Sequence, residues 1–178
     1  RFRVHRRSAC GMRSFHARVQ TPLEGISGMP RILIVDDDRE TCRFMADLLG
    51  RPDREIETAY EPETALSLVR GEAFDLVISD INLNADQSGL DILRAFRESS
   101  PHGHVLLISG FGTLETAIDA VRAGAFDYIS KPFKNDEVLA VIRNAMERRR
   151  LVTENRSSRL AASHTSTRSI RRFVEFVS

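Results

Sequence analysis

The chain has 178 residues, 42% hydrophobic and 29% charged, enough for one sizeable core plus tails but not two full domains. Its net charge of +1 hides a partition: residues 1–28 carry six Arg and one Glu, residues 29–146 twelve basic and twenty-one acidic groups, and residues 147–178 eight Arg and three Glu. No apolar stretch nears the roughly eighteen residues of a membrane span, no h-region marks a secretory signal, and with lysines only at 131 and 134 a GxxxxGK(S/T) phosphate loop is excluded.

The chain opens on Arg1, and Met29-Pro30 stands directly before the first predicted strand. The Arg-rich, acid-poor leader loosely matches an organellar transit peptide. Residues 1–28 are expected to be a basic, disordered or non-native extension. Cys10 lies in that leader and Cys42 on a predicted helix. Neither sits in a metal or redox motif, so reduced thiols and a cytoplasmic setting are expected.

From Arg31 a strand pattern alternates five times with a helical one. Strands are predicted at about 31–36, 54–59, 75–79, 104–108 and 126–129. After the first strand, Phe44, Met45, Leu48 and Leu49 form an apolar helical face. After the second, Glu61-Pro62 starts a helix whose face is Ala65, Leu66, Leu68 and Val69, with Gly71 at its end. The third helix presents Ile92, Leu93 and Phe96 and is broken at Pro101. The fourth presents Leu114, Ala117, Ile118 and Val121 and stops at Gly124. The fifth presents Val138, Val141, Ile142 and Ala145. Five βα units in about 120 residues predict an α/β fold with a doubly wound parallel sheet, because parallel strands need right-handed helical crossovers. Past Met146, ERRRLVTENRSSRL extends the last helix by a few turns, AASHTSTRS reads as a linker, and SIRRFVEFVS has a weak apolar face too short for a domain.

Four of the apolar runs end on reactive polar residues. ILIV (32–35) runs into Asp36-Asp37, LVI (76–78) reaches Asp80 through Ser79, VLLI (105–108) meets Ser109, and YIS (128–130) meets Lys131. Short continuous apolar runs are what strands covered on both faces look like. The carboxyl ends of such strands share one edge, where open α/β folds bind ligands. Three carboxylates within a few ångströms disfavour mutual ionisation. Mg²⁺, which takes oxygen ligands and keeps several waters, removes that cost. One carboxylate is then free to act as a nucleophile, with Lys131 as a point charge and Ser109 as a hydrogen-bond donor for phosphoryl oxygens. These parts suit phosphoryl transfer to an aspartate.

Residues 30–146 resemble the receiver domain of two-component response regulators. The resemblance rests on ILIVDDD, LVISDINL, LLISG and AGAFDYISKPF, in that order and at family-like spacing. It implies a flavodoxin-like (βα)5 domain over 29–148 with strand order 2-1-3-4-5, followed at 149–178 by a helix extension and a basic, truncated tail. It implies Asp80 as phospho-acceptor, Asp36, Asp37 and Asp80 as Mg²⁺ ligands, and the Asn82 backbone carbonyl completing the metal shell. It further implies Ser109 and Lys131 as phosphoryl-binding groups, Ser109 and Tyr128 as a switch pair, and a cis Lys131–Pro132 bond. The implied partners are a histidine kinase or phosphotransfer protein, and a second copy through the face of the fourth helix, fifth strand and fifth helix. No membrane is implied.

Two departures stand out in DINLNADQSGLDIL. Asn84 replaces the family's usual proline, and Gly89 comes nine residues after Asp80, about one later than usual, which puts the loop shape in question. Asp38 reads as a solvent-facing or helix-capping acid. His5, His16, His102, His104 and His164 lack ligand spacing and read as solvated or loop residues. The Arg-rich tails lack a helix-turn-helix pattern or interleaved aromatics, so solvated tails are expected rather than direct nucleic-acid binding.

Three other readings compete. A Mg²⁺-dependent phosphatase with an aspartyl-phosphate intermediate usually pairs its nucleophile with a second Asp two residues on, where this chain has Asn82. A binding-only pseudo-receiver does not explain the complete acidic set. A receiver fragment of a hybrid histidine kinase is the third. SGFGTLETAIDAVRAGAFDYISKPF looks most like receivers of the nitrogen-regulator type, which usually precede an ATPase and a DNA-binding domain.

Overall fold

Five βα repeats build one parallel sheet in the computed structural model, which describes residues 29–83, 87–110, 113–152 and 154. In chain order the elements are β1 (Arg31–Val35), α1 (Arg39–Leu49), β2 (Glu55–Ala59), α2 (Pro62–Gly71) and β3 (Leu76–Asp80). There follow α3 (Gly89–Ser99), β4 (His104–Ser109), α4 (Leu114–Arg122) and β5 (Asp127–Ser130). A fifth helix, α5, spans residues 135–152 and so continues past Met146. The strand order is β2-β1-β3-β4-β5, with every pairing parallel. The predicted fold class and strand order are those observed. Strand ends differ from the sequence reading by a residue or so, as expected where pattern alone sets boundaries.

Side chains alternate across the pleat, and the two halves of each apolar run feed different cores. Leu33, Val35, Val77, Val105 and Leu107 pack with Ala65, Leu66 and Val69 of α2, Ile92, Leu93 and Phe96 of α3, and Ala120 of α4. Ile32, Ile34, Leu76, Ile78, Leu106, Ile108 and Ile129 pack on the opposite face with Cys42, Met45 and Leu49 of α1 and Val138, Ile142 and Ala145 of α5. This is the double winding, with two helices on one face and three on the other.

Local chemistry sets the helix starts. Asp38 caps α1, its carboxylate accepting from Glu40 N at 3.0 Å and Thr41 Oγ1 at 2.7 Å. Pro62 stands at the first turn of α2, where its missing N–H costs nothing. Asp91 accepts from both Ser88 N and Ser88 Oγ at the start of α3. Gly124, at φ +91°, ends α4 in the left-handed region.

Three apolar expectations are corrected. Phe44 is exposed, because the buried stripe of α1 runs through Cys42, Met45 and Leu49 at helical spacing and Phe44 falls off it. Ile118 and Val121 of α4 are 40% and 65% exposed, while Ala120 of the same helix is buried in the core. These two members of the predicted α4 stripe therefore point outward. His104 is likewise not a solvated loop residue. It opens β4, stacks on Phe126 with ring centroids 4.7 Å apart, and has its Nε2 buried without a hydrogen-bond partner among the described residues. Burial pushes its imidazole below the usual range, and the Arg148 and Arg97 charges act in the same direction.

The expectations for residues 1–28, for the linker and tail beyond residue 154, and for Asn84 and the Leu114 side chain lie outside the described residues. Among the described residues no helix is long and apolar enough to cross a membrane.

Candidate functional site at the carboxyl edge of the sheet

Parallel register decides which residues meet. Val35 is paired with Ser79, so Asp36 and Asp80 stand level at the ends of adjacent strands. Asp80 is paired with Ile108, and Ser109 with Ser130, which places Ser109 and Lys131 at the same edge. Four sequence-distant segments thus converge, and Asp36, Asp80 and Ser109 are all buried there.

Lys131 is the hub. Its Nζ donates to Asp36 Oδ2 at 2.8 Å and to Asp80 Oδ2 at 2.5 Å. The remaining carboxylate oxygens are oriented by main chain. Asp36 Oδ1 accepts from Asp38 N, and Asp80 Oδ1 from Asn82 N, each at 2.9 Å. The Asn82 side chain reaches the other way, its Nδ2 lying 3.5 Å from Ser109 Oγ. Lys131 is joined to Pro132 by a cis peptide bond, and Lys131 N donates to Ser109 O at 2.7 Å.

Burial and pairing pull against each other here. Burial raises the Asp36 carboxyl above the usual carboxylate range despite the hydrogen bonds from Lys131 and from Asp38 N. Burial alone would lower the Lys131 ammonium, but its hydrogen bonds to Asp36 and Asp80, and their charges, raise it. Beneath the site, the Cys42 thiol lies 3.4 Å from Asp36 O, and burial pushes it up to about 11, so it stays protonated and inert at neutral pH.

Asp37 lies next to Asp36 and is half-buried. The donor chemistry offered by Asp36, Asp37, Asp80 and the Asn82 carbonyl is all hard oxygen, the set a magnesium-sized cation takes. As arranged, with Lys131 seated between Asp36 and Asp80, no group of three or more His, Cys, Asp or Glu among the described residues is gathered around one metal position. Tyr128, on β5, packs partly buried against the α2–α3–α4 core, and its hydroxyl is buried without a hydrogen-bond partner among the described residues.

Two neighbours of Asp80 escaped the sequence reading as participants. Ser79 Oγ donates to Asp80 O at 2.9 Å, and Gly89 packs directly over that same carbonyl. The signals were present: Ser79 interrupts an otherwise apolar run, and Gly89 is a glycine at the head of a helix. On the other flank, the Arg39 guanidinium lies 4.1 Å above the Tyr60 ring.

Residues 32–143, well over half of the chain, match the family model of the response regulator receiver domain. A C4-dicarboxylate transport transcriptional regulatory protein, DctD from Pseudomonas aeruginosa, is 35% identical over 144 residues, covering 79% of this chain and 30% of the relative. The crystal structure of NtrX from Brucella abortus in complex with ADP superposes with a TM-score of 0.64 at 36% identity, covering 72% of this chain and 29% of that one. The solution structure of the beryllofluoride-activated NtrC4 receiver domain dimer gives 0.62 at 27% identity, covering 67% and 98%. The chain spans less than a third of the length of the curated relatives it matches.

Proposed function

The chain belongs to the response regulator receiver family of two-component signalling, and on that premise we propose that it accepts a phosphoryl group on Asp80. The donor is the phosphohistidine of a histidine kinase or phosphotransfer protein. The observation that carries this reading is the Lys131 ammonium shared by Asp36 and Asp80 at 2.8 and 2.5 Å, on a sheet edge where Asp80 is buried and held by Asn82 N.

In the proposed transfer an Asp80 oxygen attacks phosphorus, the P–N bond to the donor imidazole breaks, and the imidazole leaves with a proton. Asn82 N fixes the carboxylate plane, so attack proceeds from a set direction. Lys131 stays paired with Asp36 while presenting its charge to a phosphoryl oxygen, and the Ser109 hydroxyl donates to another. Asp36 and Asp80 bring two negative charges against one ammonium, a surplus that a divalent cation balances. Mg²⁺ held by these carboxylates, Asp37 and the Asn82 carbonyl would screen repulsion between Asp80 and the incoming phosphoryl group.

The module acts only on itself, which separates it from a turnover enzyme. Once modified, Ser109 is drawn toward the phosphoryl group and Tyr128, whose hydroxyl has no hydrogen-bond partner among the described residues, moves behind it. The exposed Ile118 and Val121 of α4 would form part of the face that reads this change, through a second copy or a downstream domain. Control of transcription is the proposed output, because DctD-type relatives are transcriptional regulators. A cytoplasmic location follows from the proposed kinase partner.

Acetyl phosphate with Mg²⁺ is expected to label the protein once, at Asp80, and Asp80→Asn to abolish the label. Undiminished labelling of that variant, read by intact-protein mass, would sink the assignment.

A further inference from the structure

We infer that Gly89 and Ser79 form a clamp on the Asp80 peptide, which makes both of them positioning residues for the proposed phospho-acceptor. The inference rests on the reading of Asp80 as the reactive carboxylate, and the geometry behind it is independent of that reading. A Cβ placed on Gly89 would lie 2.2 Å from Asp80 O, 3.0 Å from Asp80 C and 2.9 Å from Ser79 Oγ. Ordinary carbon–oxygen contact needs about 1 Å more than the first of these distances. The nearest obstacle, the Asp80 carbonyl, is main chain at the end of a strand, so no side-chain rotation relieves it.

Gly89 has no left-handed backbone angle to explain it; close approach is its whole requirement. Its own N–H donates to Ile81 O at 3.0 Å, which closes the β3–α3 loop and seats the first turn of α3 on the end of β3. From the other side Ser79 Oγ donates to Asp80 O at 2.9 Å. The next peptide unit, Ile81–Asn82, carries both the carbonyl that Gly89 N–H holds and the N–H that holds Asp80 Oδ1 at 2.9 Å. Rotating the Asp80 carbonyl away from an added methyl group therefore turns the segment that orients the carboxylate.

The clamp is separable from ordinary crowding because the fold contains a matched control. A Cβ on Gly103 would also collide, at 2.4 Å, with the Phe96 ring, at the opposite end of the sheet. Gly89→Ala and Gly103→Ala should both lower thermal stability. Only Gly89→Ala should speed hydrogen exchange of the Asn82 amide, by about 10-fold beyond what lost global stability explains, and slow acetyl phosphate labelling by about 10- to 100-fold. Ser79→Ala adds no volume and should move both readouts in the same direction by a few-fold. It decides the matter should Gly89→Ala not fold. An unlabelled wild type would overturn the phosphoryl reading yet leave the exchange measurement to judge the clamp. Unchanged Asn82 exchange in Gly89→Ala or Ser79→Ala, or an equal change in Gly103→Ala, would overturn the clamp itself.

Discussion

The two ends of the sheet both gather charge, and they handle it in opposite ways. At the amino end Arg31 is ringed by carboxylates: Glu72 at 2.6 Å, Glu57 at 3.2 Å and Glu55 at 3.4 Å, with its guanidinium 4.7 Å above the Phe74 ring. Asp75 there accepts from Arg31 N and is bridged by Arg149 of α5. These groups are partly exposed, and water shares their charge. At the carboxyl end, Asp36 and Asp80 are nearly inaccessible and share one ammonium. Exposed pairs tolerate rearrangement, whereas buried like charges hold electrostatic energy that a reaction is able to use. The acidic surplus lies where the proposed chemistry needs it.

This contrast makes unequal predictions. Lys131→Met strips the shared ammonium from two buried carboxylates, and should cost about 3 kcal/mol of stability at neutral pH by denaturant titration. That loss should change little between low and high salt, since buried pairs are weakly screened. Arg31→Ala should cost only about 1 kcal/mol, and the cost should shrink in 1 M NaCl. Equal losses, or equal salt dependence, would erase the distinction between the two ends.

The smallest effect concerns His104, also at the amino end. Its folded pKa is lowered by burial, so the unfolded chain binds more protons just below the free imidazole value of about 6.5. The neutral form's contribution is complete above that pH and is lost as pH falls toward the folded pKa. His104→Phe keeps a ring against Phe126 and removes the titration. Its denaturation midpoint should therefore fall less than the wild-type midpoint between pH 7 and 5.5, and identical slopes would remove His104 from the account.

Much of the fold was legible because β1, β3 and β4 are covered on both faces and read as unbroken apolar runs. β2 was harder: as an edge strand its EIETA is mostly half-exposed and carries two glutamates. In the α4 stripe Ile118 and Val121 misled for a related reason. Leu114, Ala117, Ile118 and Val121 have helical spacing, but spacing reports only that apolar residues share a face, never whether a neighbour covers it. His104 showed the converse, a polar residue taken into the packing by Phe126 beside it.

For the candidate site, sequence alone determined the strand endings, and parallel topology then required Asp36, Asp80, Ser109 and Lys131 to share an edge. Only the tertiary structure decided the contacts within that edge: Lys131 bridging Asp36 to Asp80, Asn82 N on Asp80 Oδ1, and Gly89 over the Asp80 carbonyl. The reason is physical. Strand and helix alternation and pleat follow from periodicity along the chain, whereas contacts of 2.5 to 3 Å depend on how separate segments settle against one another after the cores have packed.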